Sequence, residues 1–147
     1  MMPSAADVSR QFLSAIWAGE APDMTMLIQA IDRLLAQSHD TASGDCTGDD
    51  VDPPSIDAPS LYRCVADRFP YLGLYCLADP LASLDEKMML GDGVDDIADI
   101  TRDLREVIWW DENYGPDDAA FNFRLLFPHW GRHARALSGY LHAHLWG

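Results

Sequence analysis

An all-α, single-domain bundle of five or six helices is the fold class this sequence predicts, on three observations. Apolar residues recur three and four apart along most of the chain. N-capping side chains and Pro or Gly mark the ends of those segments, and no run of alternating β-branched residues is long enough for a sheet. No internal repeat divides the chain, and 147 residues is a common size for a domain with a single core, so residues 1–147 are expected to form one helical unit.

Ser4 is placed to cap a first helix in which Val8, Phe12, Ala15 and Ile16 share a face, with Gly19 as its stop. A second helix opens at Pro22-Asp23 and runs to about Gln37, its buried face built from Leu27, Ile28, Ile31, Leu34 and Leu35. Residues 38–60 then turn acidic and rich in Pro, Gly and Ser, the composition of a mobile surface loop. Its Asp45-x-Thr47-x-Asp49 run suggests a calcium loop. No glycine follows Asp49, however, and Ile56 stands where the closing glutamate belongs, so the pattern fails. Ser60 is expected to cap a third helix from Leu61 to Phe69, and Pro70 to open a fourth from Tyr71 to Leu77, ended by Asp79-Pro80. In these two helices Tyr62, Val65, Phe69, Leu72 and Tyr75 read as core, and Cys64 and Cys76 as small buried hydrophobes. An acidic helix follows from about Asp92 to Glu112. Asn113-Tyr114-Gly115 breaks it, Pro116-Asp117-Asp118 begins the last helix, and Pro128 is expected to kink or divide that helix.

The net charge of −14 argues against nucleic acid and anionic membranes as partners, because both require a basic footprint. A basic or amphipathic protein partner, or a second copy of the chain, remains compatible with it. The apolar run Phe12–Ala18 is too short to span a bilayer and lacks a preceding basic cluster. Three cysteines, odd in number and without a C-x-x-C pair, fit reduced thiols, and a cytoplasmic location is therefore expected.

The chemistry-bearing residues concentrate in the last two helices. At 100° per residue, Asp92, Asp96, Asp99, Asp103 and Glu106 fall on one stripe, with Ile97, Thr101, Leu104 and Ile108 nearly opposite. Like charges at this spacing repel, so something must offset them. In the last helix Trp130, Leu137, Leu141 and Leu145 form an apolar stripe, with His129 and His133 at its border one turn apart. Together Asp95, Asp96, Asp99, Asp103, His129 and His133 form a candidate acidic and histidine cluster. With its Asp95-Asp96-Ile97-Ala98-Asp99-Ile100-x-x-Asp103-Leu104 motif, followed by Trp130-Gly131 and Leu141-His142, the C-terminal half of the chain resembles the bacterial domain-of-unknown-function family 5063. That resemblance implies a small all-helical protein with no established activity.

Three functional readings fit these residues. In the first, Arg124, Arg132, Arg135 and the histidines neutralise the acidic stripe in a network that serves helix pairing. In the second, the stripe and the Trp109-Trp110 pair present an interface to a basic or amphipathic partner. In the third, His129 and His133 hold zinc, manganese or iron together with Asp96, Asp99 or Asp103, and the ion activates water. No H-E-x-x-H or E-x-x-H motif is present. Asp95-Asp96-x-x-Asp99 matches the magnesium motif of prenyl-diphosphate enzymes, but the chain is too small for their cavity. On sequence alone the favoured function is an acidic interaction or regulatory module without catalysis and without a cofactor. The alternative is a divalent-metal-dependent hydrolase of a phosphate ester or nucleotide.

Overall fold

The computed structural model describes residues 2–48 and 50–147, so Asp49 of the calcium-like run lies outside the described residues. Five helices and one hairpin follow in the order α1 (Ala5–Trp17), α2 (Met24–Ser38), α3 (Ala58–Arg68), β1 (Leu74–Leu77), β2 (Met89–Asp92), α4 (Gly93–Tyr114) and α5 (Pro116–Trp146). Side-chain caps account for where four of the helices begin. Ser4 Oγ accepts from Asp7 N at 3.0 Å, Asp23 Oδ1 from Met26 N at 2.8 Å, and Asp92 Oδ1 from Val94 N at 2.9 Å. α3 starts three residues earlier than Ser60 implied. Asp57 is its cap, accepting from Ser60 N at 3.2 Å, while Pro59 takes an early position where a missing N–H does no harm.

α4 and α5 form the most extensive helix pair, and α1 and α2 pack across them. Ile97, Ile100 and Leu104 of α4 meet Phe123, Trp130, Leu137 and Leu141 of α5 in a core closed by Phe12, Ile16, Leu27, Ile31 and Leu34. Each such side chain, removed fully from water, stabilises the fold by about 1.5–3 kcal/mol. α5 runs through Pro128 without dividing. The proline ring removes one helical hydrogen bond and crowds the Arg124 carbonyl, and the surrounding burial offsets that loss. Trp130, fully buried beside it, donates its indole N–H to the Phe123 carbonyl at 3.1 Å and packs on the rings of Phe123 and Phe127.

The expected helix at Tyr71–Leu77 is instead the first strand of a hairpin. β1 and β2 pair antiparallel with Leu74 opposite Asp92, Tyr75 opposite Gly91, Cys76 opposite Leu90 and Leu77 opposite Met89. A segment this short is too near the nucleation limit to hold a helix by itself, and its partner strand lies beyond a long intervening loop that local periodicity does not register. Gly91 is required by the pairing, since a Cβ there would stand 2.3 Å from the Tyr75 ring. The hairpin also moves side chains out of the core. Cys76 and Leu74 face solvent, as do Cys64 and Tyr62 of α3, whereas Val65, Phe69 and Leu72 are buried as expected.

Among the described residues of the 38–60 stretch, Thr41, Gly44, Thr47 and Gly48 are held against α5. Asp118, buried at the start of α5, accepts from Thr47 N at 2.7 Å, the Thr47 hydroxyl at 2.8 Å and Gly48 N at 3.2 Å. Arg124 bonds the Thr41 carbonyl, and Gly44 lies so close to Asp117 that a Cβ would come within 2.3 Å of its carbonyl oxygen. Burial alone would raise the Asp118 carboxyl, but the bonds from Thr47 and Gly48 outweigh it and hold the group below its ordinary value of 3.8. A carboxyl depressed in the folded state stabilises fully above its unfolded value and loses that contribution as pH falls through the folded one. The urea midpoint of Asp118→Asn should therefore lie below that of the wild type at neutral pH, with the gap closing in acid below pH 3.8. A gap unchanged in acid would remove this carboxylate from the docking of the loop.

Candidate metal centre

Helical spacing on two packed helices builds the site. Asp96, Asp99 and Asp103 lie at i, i+3 and i+7 on the side of α4 that meets α5, and His129 and His133 lie at i and i+4 on α5. His129 Nδ1 stands 2.6 Å from Asp103 Oδ2, and His133 Nδ1 2.7 Å from Asp96 Oδ1. Both carboxylates are buried, at 6% and 4% exposure, so each ring is oriented by a group that is itself fixed. With each Nδ1 engaged, the Nε2 atoms lie on the side of Asp99, whose Oδ2 is 3.1 Å from His133 Nε2 and 3.8 Å from His129 Nε2. One ligand atom from each of Asp99, His129 and His133 lies within 4.8 Å of the others. The two imidazoles meet edge to face at 4.9 Å between centroids.

A further shell holds the orienting groups. The Tyr75 hydroxyl donates to Asp96 Oδ2, and its ring stacks on Tyr140 at 4.6 Å, which ties the hairpin to the site. Burial, followed by the bond to Asp96 and the charges of Asp96, Asp92 and Asp95, pushes the Tyr75 phenol far above its usual range, so it remains a donor. Asp96 holds the His133 imidazole above its usual 6.5 against the opposing effect of burial. Burial raises Asp103, with His129 and Arg102 pulling it back. Arg102 reaches Asp99 Oδ1 at 3.0 Å and stands 4.0 Å from Asp103 Oδ1.

Five of the six residues in the candidate acidic and histidine cluster are thus brought together. Asp95 is exposed and stands at the rim, in a depression shared with Asp99 and Arg102. The expected stripe also divides by role. Asp92 caps α4 and accepts the Tyr62 hydroxyl at 2.7 Å, while Glu106 lies beside Arg102, Arg105 and Trp109. Arg124, Arg132 and Arg135 form no ion pair with the stripe among the described residues; histidines and Arg102 do. The reason is position, since Arg124 is turned toward Thr41. Trp109 and Trp110 do not make a shared exposed anchor. Trp110 is 4% exposed beneath Gly48 and Tyr114, and Trp109 is half-buried with its ring edge-on to Trp110 at 5.1 Å. Sequence reasoning missed Tyr75 and Arg102. The i, i+3 spacing of Asp99 and Arg102 carried a signal, whereas Tyr75 enters through strand pairing and carried none.

Removing the Asp96 carboxylate strands two half-buried partners. Asp96→Ala should lower stability by about 1–3 kcal/mol, because both the Tyr75 hydroxyl and the His133 Nδ1–H lose their acceptor. Urea unfolding measures it, and an unchanged midpoint would show that the pair contributes nothing to helix packing.

The architecture belongs to the class of small helical bundles, dominated by one long antiparallel helix pair and carrying a single hairpin. Within that class it is similar to the crystal structure of protein BF1032 from Bacteroides fragilis, with a TM-score of 0.71 over 98% of this chain and 91% of that chain, at 15% sequence identity. At that identity the likeness is one of fold. No family model and no curated protein matches the chain. Among the described residues no helix is long and apolar enough to cross a membrane.

Proposed function

We propose that this protein is a divalent-metal-dependent hydrolase whose ion is held by His129, His133 and Asp99. The observation that supports it is the orientation of the two imidazoles. Each Nδ1 is bonded to a buried carboxylate, and Asp99 Oδ2 lies 3.1 Å from His133 Nε2 and 3.8 Å from His129 Nε2. Carboxylates bonded to the outer nitrogens of ligating histidines fix the tautomer and raise ligand basicity, the arrangement that recurs in metal sites. Helix pairing alone does not require Asp99 and the two histidines to bring one ligand atom each within 4.8 Å of one another.

Two histidines and one carboxylate leave further positions open to water and substrate, and zinc in such a set lowers the pKa of bound water toward neutrality. The protein's own part is to orient the ligands, through Asp103 and Asp96, and to keep the Asp99 carboxylate in place through Arg102. In hydrolysis of an ester the water oxygen bonds to the electrophilic atom. The ester oxygen leaves with the bonding pair and takes up one water proton.

Protein purified without chelator and dialysed against zinc should carry one ion per chain by elemental analysis. His133→Ala and Asp99→Ala should lose it. Asp103→Asn should keep the stoichiometry with affinity lowered roughly 10–100-fold, as for outer-shell partners of metal-bound histidines. Substoichiometric zinc, manganese and iron in the wild type would overturn the metal centre.

A further inference from the structure

Two depressions on the surface of α4 meet at Arg102. One, of about 260 Å³, is lined by Asp99 and Asp95 and walled by Pro59 and Tyr62. The other, of about 390 Å³, runs from Arg102 past Arg105 and Glu106 to Trp109, beneath Pro53, Pro54 and Ile56. Arg102, Glu106 and Trp109 lie at i, i+4 and i+7, so the groove follows one face of the helix over two turns, about 10 Å.

The two ends of the groove differ in chemistry. At the Asp99 end, Arg102 is 41% exposed and uses one terminal nitrogen on Asp99 Oδ1, which leaves other N–H donors of its planar fork for an oxyanion beside the metal centre. At the far end Trp109, Pro53, Pro54 and Ile56 form a largely apolar wall, interrupted by Ser55. In between, the charges of Arg102 and Arg105 are opposed by Asp95 and Glu106. An anion therefore gains a net attraction only once the centre holds its cation.

We infer that this groove is the substrate site and takes a phosphate monoester of an aromatic alcohol, its phosphoryl oxygens on Arg102 and its ring against Trp109. The inference rests on the metal-centre reading and narrows it to one substrate class. Hydrolysis there joins the water oxygen to phosphorus and breaks the bond to the aryl oxygen. The phenol leaves with one water proton, and the other stays on the product phosphate.

Phenyl phosphate, inorganic phosphate and benzoate, each titrated calorimetrically into metal-free and zinc-saturated protein, test this, with phenylphosphonate, which has no ester bond to lose, taking the place of phenyl phosphate wherever the zinc form releases phosphate from it. Phenyl phosphate should bind only the zinc form, and at least tenfold more tightly than inorganic phosphate or benzoate, about the discrimination an aromatic contact and a charge-assisted bond supply. At saturating zinc, Arg102→Gln should weaken both phosphates by about tenfold or more, with Arg102→Lys recovering part of the loss. Trp109→Ala should weaken phenyl phosphate alone. Should that variant unfold, Ile56→Ala reads the same wall. Zinc bound at one per chain with phenyl phosphate no tighter than inorganic phosphate, or with affinity indifferent to Arg102, overturns the substrate assignment and leaves the metal centre standing. Failure to bind zinc at all removes both.

Discussion

Zinc at one hundred times its dissociation constant should stabilise the folded chain by about 2.7 kcal/mol through mass action, provided the ion binds the folded state alone. For a domain of this size that corresponds to a rise in melting temperature of roughly 5–11 °C, at about 2–4 °C for each kcal/mol. His133→Ala and Asp99→Ala should abolish the shift, because each removes a ligand from a set of three. The stabilisation should fade in acid, since an imidazole must give up its Nε2 proton before it can ligate, and Asp96 makes that proton harder to remove from His133. Differential scanning calorimetry with and without zinc measures all of this. A melting temperature that ignores zinc at neutral pH would return the five residues to a hydrogen-bonded network that joins α4 to α5, with no ligand.

Trp130→Ala should destabilise the protein by about 3–5 kcal/mol, the range for truncating a large buried aromatic. The ring is fully buried, packs at 4.9 Å on both Phe123 and Phe127, and bonds the Phe123 carbonyl in the turn that contains Pro128. Two losses coincide there. A cavity opens in the centre of the α4–α5 pair, and a carbonyl beside a proline-interrupted stretch of helix loses a donor. Trp130→Phe keeps most of the volume and should cost less, and the difference between the two variants separates packing from the hydrogen bond. Since His129 and His133 flank Trp130 on the same helix, Trp130→Ala should also weaken zinc binding. Denaturant midpoints equal to wild type in Trp130→Ala would place the stabilising core elsewhere.

Where each long helix lies was legible in the chain, because caps and apolar periodicity are local properties. Ser4, Asp23 and the Asp92–Gly93 start of α4 needed nothing beyond their own neighbours, and Gly115-Pro116 marked the junction of α4 and α5. The candidate cluster was legible in part. Helical spacing marked six candidates, Asp95, Asp96, Asp99, Asp103, His129 and His133, but it did not separate Asp95, which the packing leaves at the rim, from the other five.

Partnership was decided by tertiary structure. Which cation answers the acidic stripe depends on the rotation of α5 about its axis, and that rotation is set by burying Trp130, Leu137 and Leu141; it carries the histidines onto Asp96, Asp99 and Asp103. Tyr75 joined the site only because residues far apart in the chain paired as strands, an energy term that a local window does not contain. The docking of Thr47 and Gly48 likewise depends on Asp118, some seventy positions away from Thr47, and Gly48 covers Trp110. The sequence by itself determined the helices and the kinds of side chain each one carries, since both follow from short-range sterics and periodicity. The pairing of charge with charge, and the conversion of a repulsive stripe into a convergent site, belong to the packed structure, where burial fixes the orientation of one helix against another.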